Sequence, residues 1–577
     1  MSHSAHKAEP LDSPQDQSRS NRPSFLSRRV AAVVLLLLCA GLYLPGLTTI
    51  PPIDRDEAYF AQASRQMLET GDYVRPRFQD QNRYRKPIGI YWLQAASAAA
   101  LGLRERGVIW PYRIPSVLGA TLAVIMTYAI GETLYGSETA LLAGAILASS
   151  LLLTVEALLA KTDAMLLACI VGSQWSLARL YTRYPTAPAP ARYALLFWIT
   201  QGLGVLIKGP VTPLVSFLTL AGLALMDHLD PAETGGSTVN KLIGDLHLRW
   251  GIPLAVLILA PWTIAVGVST NWSFFSQALG QDIAPKLMAG VESHGGWPGY
   301  YLVSALITFW PASIAAGLAV WHAISQRERM PARFVLAWLV PTWLFFEFLP
   351  TKLPHYVMPA FPPLALATAR FAVACEPTAA ARRWLRLESL LWLFATLLLG
   401  SALITAPQFL GGRESAVGFI ASMVTFASGW TAFRALWRGD LRRSLWCAVA
   451  GAAVLIFLLR VWMIADLEAL WLPSRAAAAV ARTSAPDAVA VVGYDEPSMV
   501  FLFGTDTRFI DPARAVELLK DRPGAVALVN DRQRRAFETA LRSKAVSAVP
   551  IWSGSGIDYT KGRTVSMTAF KLLPPSR

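Results

Sequence analysis

The chain has 577 residues, 54% of them hydrophobic and 16% charged, with a mean hydropathy of +0.41 and long uncharged runs through most of its length. Those values exclude an ordinary soluble domain and select a polytopic α-helical membrane protein. A formal net charge of +14 would point a soluble protein toward nucleic acid, but here Lys and Arg gather in short loops between apolar runs. In that arrangement they report topology and argue against nucleic-acid binding.

In chain order, residues 1–27 are polar and low in complexity and are expected to form a disordered cytoplasmic tail. Residues 28–467 are expected to form the transmembrane region. It holds roughly thirteen spans of about 20 residues each. They fall near 30–50, 112–131, 138–157, 163–181, 192–207, 210–226, 250–270, 298–320, 333–349, 354–372, 387–405, 415–434 and 445–465. The first run is long enough to span and lacks a small-residue cleavage site, so it reads as an anchor helix rather than a removed signal. A cytoplasmic N-terminus places Arg28 and Arg29, Arg179, Arg183 and Arg192, Arg327, Arg329 and Arg333, Arg382, Arg383 and Arg386, and Arg434, Arg438, Arg442 and Arg443 inside. The short apolar stretch Ile88 to Leu103 is read as an interfacial helix, since counting it as a span inverts every later loop.

Residues 51–110 then form a large external loop with two surface helices. Asp54 or Asp56 caps the first, Phe60, Ala61, Ser64, Met67 and Leu68 follow helical spacing, and Gly71 ends it. Composition shifts after the last span, and residues 468–577 are expected to form a small soluble α/β domain on the outer side, since an odd number of spans precedes it. Its candidate strands are Ala488–Tyr494, Ala525–Val529, Ala545–Trp552 and Arg563–Leu572. The four cysteines, Cys39, Cys169, Cys375 and Cys447, fall in spans or inner loops with no close pair, so no disulfide framework or thiolate metal site is indicated.

This topology brings a short list of ionisable residues to one membrane face. They are Asp54, Asp56 and Glu57, then Arg85 and Lys86, Lys161 and Asp163, Lys208, Glu292 and His294, and finally Lys352 and His355. Carboxylates and cations together at a lipid–water boundary suit a reaction in which an acid takes a hydroxyl proton while cations stabilise a departing phosphate. Simpler roles stand beside each. Asp54 with Glu57 matches a capping box, and Asp163 can cap its own span. Lys208 and Lys352 can be turn or snorkelling lysines, although lysine is disfavoured in short outer loops. His294 is most often a plain loop histidine.

Several stretches resemble the GT-C membrane glycosyltransferases, in particular the group of the aminoarabinose lipid A transferase and the dolichyl-phosphate-mannose protein mannosyltransferases. They are Asp56-Glu57-Ala58-Tyr59-Phe60-Ala61-Gln62, Met67 to Asp72, Tyr84-Arg85-Lys86-Pro87-Ile88 with Tyr91-Trp92, Lys161-Thr162-Asp163, Gly204 to Gly209, and Lys352-Leu353-Pro354-His355-Tyr356 leading to Pro359. The resemblance implies a GT-C fold and an enzyme moving a sugar from a polyprenyl-phosphate donor to a lipid, glycan or protein acceptor such as lipid A. It implies Asp56 as principal acid with Asp163 second and Glu57 beside them, Lys86 on the lipid phosphate with Arg85 adjacent, and Lys208 and Lys352 as further phosphate-side residues. Tyr59, Glu292, His294 and His355 are further cavity candidates.

Tyr59, where the lipid A enzyme's pattern often has arginine, and Arg85, where it has glutamate, put the sugar or acceptor in question. The site is expected on the periplasmic side of a bacterial inner membrane. A hard divalent cation bridging carboxylate and phosphate fits the oxygen ligands, though no closed ligand set is present. The competing reading is a transporter or flippase of lipid-linked sugars, against which the charges cluster at one face and no inverted repeat is seen.

Overall fold

The computed structural model describes residues 27–102, 107–183, 190–229, 238–278, 280, 295–375, 378–410, 416–483 and 485–573. The calls on Glu292 and His294, and on all but the end of the 1–27 tail, therefore lie outside the described residues. Among the described residues, seven helices are long and apolar enough to cross a membrane, and eight if the bent pair Ser137–Ser149 and Leu151–Leu158 is one span. That is fewer than the roughly thirteen runs expected at about 20 residues each. The difference has a physical source. Arg28–Tyr43 is only 16 residues long. Asp163–Tyr181 and Ala191–Lys208 carry charged residues at their ends and polar side chains along them, including Gln174, Thr200 and Gln201, which pair inside the bundle.

One continuous apolar core runs through the bundle from Ala31 to Trp471. Leu257, Phe217 and Phe394 instead point outward, as lipid-facing side chains do. Two packing details set the positions of the charged residues. Gly119 in the Trp110–Leu134 helix has no side chain where a Cβ would lie 2.6 Å from the Met165 backbone. The two helices therefore meet backbone to backbone beside Asp163. The bend of 59° at Ser150, whose backbone is extended, redirects Leu151–Leu158 and carries Glu156 toward the same region.

The segment after the first helix contains the Asp56–Thr70 helix, a small hairpin of β1 (Arg77–Phe78) and β2 (Gln81–Asn82), and the Gly89–Ala100 helix. Gly71, in the left-handed region at φ 73°, ends the first helix with its N–H on the Met67 carbonyl. Its start is not capped by Asp54 or Asp56. Arg55 holds the cap position at φ 66° with no side-chain hydrogen bond, and Glu57 instead accepts from the Ile53 N–H at 2.8 Å. Nor is this helix a surface helix: most of its residues are buried, because the C-terminal region covers it. Arg65 Nη1 donates to the Phe501 carbonyl at 2.7 Å, and Gln62 Nε2 to Thr505 Oγ1 at 2.8 Å.

The C-terminal residues form a five-stranded sheet of β3 (Val489–Val492), β4 (Arg508–Phe509), β5 (Val526–Asn530), β6 (Ala548–Asp558) and β7 (Arg563–Leu572), in the order β4-β3-β5-β7-β6. β3 runs parallel to β4 and β5, and β7 runs antiparallel to β5 and β6. β3 and β5 are buried on both faces. Val489, Val491, Val526 and Leu528 enter one apolar layer, and Ala490, Val492, Ala527 and Val529 enter the other. The third expected strand lies further along, at Ala548–Asp558 rather than Ala545–Trp552, since Ala545 sits at φ 50° and closes the preceding helix.

Candidate active site

The four residues Asp54-Arg55-Asp56-Glu57 diverge, and the positive φ of Arg55 is the reason. Asp54 turns into the C-terminal region, where its carboxylate accepts from the Ser498 N–H at 2.9 Å and its own N–H donates to the Tyr559 hydroxyl at 2.6 Å. Asp56 is exposed. Glu57 turns inward and is 1% exposed. Arg113 meets it with two parallel bonds of 2.8 Å from Nε and Nη2, a geometry that guanidinium and carboxylate share. The same carboxylate accepts from the Ala160 N–H at 2.8 Å, while Arg113 also donates to the carbonyls of Leu47, Ile50 and Pro51. Glu57, expected as an acid beside Asp56, is therefore a buried structural carboxylate with its acceptor positions filled.

A second network follows the Ala160 turn. Lys161 Nζ lies 3.2 Å from Glu156 Oε1 and 3.9 Å from Asp163 Oδ2. Burial alone would discharge this ammonium, but Glu156, Asp163 and Asp56 hold it above the usual lysine range. That places the exposed Asp56 within electrostatic reach of the buried network. Asp163 pairs with Lys208 through Oδ1. Lys208 is the last residue of its helix, which closes at Gly209 with φ 70°. His355 stands between the two acids, its Nδ1 3.8 Å from Glu156 and its Nε2 3.8 Å from Asp163. Four charged groups this buried persist only because they compensate one another.

Beside this network is a cavity of about 480 Å³. Arg85, Lys86, Asp163, Lys208 and His355 line one part of it, and Leu166, Ile170, Leu214, Leu259, Phe274 and Phe345 supply apolar wall. Cations beside a hydrocarbon-like wall can hold an amphiphile with an anionic head and an apolar tail. Of the expected residues, the structure thus gathers Arg85, Lys86, Asp163, Lys208 and His355 at one cavity, with Asp56 joined to them through Lys161. It does not bring Lys352 there. The Lys352 ammonium donates to the Phe346 carbonyl at 3.3 Å and to that of Glu347, at the C-terminal end of the Met330–Phe348 helix, where a cation is favoured.

Tyr59 packs edge-on to Phe78 with Arg83 4.1 Å over its ring, and does not line the cavity. Two participants escaped the sequence reading. Glu156 is a lone acid within an apolar run, which is itself a signal. Arg113 is a lone arginine at the start of a span expected to begin outside, against the positive-inside pattern. Among the described residues no group of three or more His, Cys, Asp or Glu is placed to hold a metal ion.

Residues 85–231 match the family model described as dolichyl-phosphate-mannose-protein mannosyltransferase. Among curated relatives, the undecaprenyl phosphate-alpha-4-amino-4-deoxy-L-arabinose arabinosyl transferase of Pectobacterium carotovorum is 29% identical over 431 residues, 71% of each chain. Among solved structures, ArnT from Cupriavidus metallidurans, crystallised with undecaprenyl phosphate, superposes with a TM-score of 0.72 over 94% of this chain and 98% of its own, at 18% identity. The Archaeoglobus fulgidus oligosaccharyltransferase gives a TM-score of 0.52 over 91% and 69%, at 11% identity. Matched model, relatives and shared fold agree with the site's chemistry: the chain is similar to membrane glycosyltransferases of the GT-C type and shares their fold.

Proposed function

We propose that the chain transfers a sugar from a polyprenyl-phosphate donor to a hydroxyl of a cell-envelope acceptor such as lipid A, with inversion, on the periplasmic side of a bacterial inner membrane. The observation that carries this reading is the joining of Arg85, Lys86 and Lys208 to an apolar-walled cavity of about 480 Å³, with carboxylates beside them. The relatives named for undecaprenyl-phosphate-linked aminoarabinose transfer favour the same donor class. In this reading the prenyl chain lies along the apolar wall and its phosphate meets the cations.

Asp56, the exposed carboxylate, orients the acceptor hydroxyl and takes its proton as oxygen attacks the anomeric carbon. The bond from that carbon to the phosphate oxygen breaks. Charge then grows on the departing polyprenyl phosphate, where Lys86, Arg85 and Lys208 offset it more strongly than in the bound donor. Asp163 acts by holding Lys208, since its carboxylate is already paired with that lysine.

The test uses purified protein in lipid with a panel of radiolabelled polyprenyl-phosphate sugars and a membrane lipid extract, comparing wild type with Asp56→Asn. Label reaching an acceptor only with wild type supports the reading and names the donor. Transfer at the wild-type rate by folded Asp56→Asn removes that residue from the mechanism. Movement of intact donor across the bilayer, with the sugar–phosphate bond unbroken, replaces the reading with transport.

A further inference from the structure

A second cavity, of about 450 Å³, lies at the other end of the bundle from the candidate active site. Three helices place it there. The Trp110–Leu134 helix starts near Arg113 and ends at this cavity with Leu134 and Tyr135. The Met330–Phe348 helix begins beside Arg329 at the cavity and ends near Lys352, and the Phe361–Ala374 helix begins just after His355 and ends here at Ala374. At about 1.5 Å per residue, the 25-residue Trp110–Leu134 helix is long enough to separate the two sites by the thickness of a bilayer.

The chemistry of the lining is one-sided. Arg329, Arg370 and His322 face the cavity together with Gln326 and Tyr135. The Arg370 guanidinium lies 5.4 Å over the Tyr135 ring, and Arg329 and Arg370 are close enough to act on each other and on His322 electrostatically. Among the described residues no carboxylate is in ion-pair contact with Arg329 or Arg370, and Arg329 acts on Arg370 as a like charge. The contrast with Arg333, one helical turn beyond Arg329, is direct, since its Nη2 is 2.9 Å from Asp227 Oδ1. Two guanidiniums on one roomy cavity repel one another unless an anion joins them, and the planar fork of arginine matches phosphate oxygens.

We propose that this cavity binds a phosphate-bearing anion, on the membrane face opposite the catalytic cavity, through Arg329 and Arg370. By the distribution of arginines this face is the cytoplasmic one, where basic pockets between membrane helices meet anionic headgroups. The phosphate comes from a phospholipid headgroup or from solution. This site is independent of the donor reading, because none of its residues lines the other cavity.

The test counts ligands on the intact, detergent-purified protein by native mass spectrometry, with phosphatidylglycerol and inorganic phosphate as separate probes. The proteins are wild type, Arg329→Gln and Arg370→Gln. Charge-assisted bonds to phosphate predict about tenfold weaker retention for each lost arginine. Phosphatidylglycerol held by wild type and undisturbed by millimolar phosphate assigns the lipid source. Displacement by inorganic phosphate assigns the soluble one. Equal retention by wild type and Arg329→Gln, whose exposed side chain leaves folding intact, overturns the proposal, as does failure of both probes to bind wild type.

Discussion

At the scale of the residue, Glu57 joins more of the site's backbone than any catalytic candidate. Its carboxylate accepts from Ile53, Ala160 and Arg113, and Arg113 in turn holds three carbonyls of the preceding loop. The pair thereby fixes the strand of chain that carries Asp56 against the turn that carries Lys161. Glu57→Ala is expected to lose about 3–5 kcal/mol, because it leaves the Arg113 guanidinium buried without its counter-ion. Thermal unfolding in detergent measures this, and an unchanged midpoint would show that Arg113 is paired elsewhere. Lys208→Met should instead leave stability less affected and slow transfer by roughly a hundredfold, since in the proposed reaction this cation faces the leaving phosphate and acts mainly in the transition state. A fall in kcat with little change in KM separates that role from simple donor binding.

At the scale of the element, the site depends on how closely helices approach. Gly119 allows the Trp110–Leu134 helix to touch the backbone of Ala164 and Met165, directly after Asp163. A side chain there has nowhere to go, because the atoms it meets are backbone. Gly119→Val is expected to cost about 1–3 kcal/mol through overpacking. It should also displace Asp163 from Lys208 and His355. Parallel loss of thermal stability and transfer activity checks this; full activity at wild-type stability would mean the helix pair separates without moving the site. The bend at Ser150 has a matching role, since a straight continuation of Ser137–Ser149 would carry Glu156 away from His355.

At the scale of the whole molecule, the C-terminal sheet is joined to the membrane bundle through the segment that carries Asp56. Asp54, Gln62, Arg65 and Gln79 all bond across this junction. Around Asp54 stand Glu496, Asp558, Tyr494 and Tyr559, with Lys561 pairing Glu496 at 2.9 Å and Arg563 lying 3.4 Å from Asp558. Burial, opposed by the hydrogen bond from Ser498 and reinforced by Glu496 and Asp558, pushes the Asp54 carboxyl up from 3.8 to about 7. The folded protein therefore favours the neutral form. This contribution to stability is complete below pH 3.8 and is lost as pH rises to about 7, at about 1 kcal/mol per unit. Asp54→Asn should flatten the dependence of the unfolding midpoint between pH 5 and pH 8 and raise the midpoint at the alkaline end. An unaltered pH profile would place the titrating group elsewhere.

Much of the fold was legible because it is written in local pattern. Apolar runs and arginine-rich loops announce a membrane bundle, and the short apolar run Val526–Val529 and the alternation in Arg563–Leu572 announce strands. The order of Arg85-Lys86, Asp163, Lys208 and His355 along the chain likewise marked residues that the cavity gathers. The two-residue strand Arg508–Phe509 was too short to show any alternation.

What only the tertiary structure decided is where each charge points. Glu57 finds Arg113, 56 positions away, and Asp54 finds Ser498, 444 positions away, because helix crossings and a covering sheet bring them together. Lys352 closes its own helix end instead of facing the cavity. By itself the sequence determined the membrane class, the main elements and a set of charged candidates, since hydropathy and periodicity are local. The division of those charges between structural and cavity-facing roles is a property of contacts between distant segments.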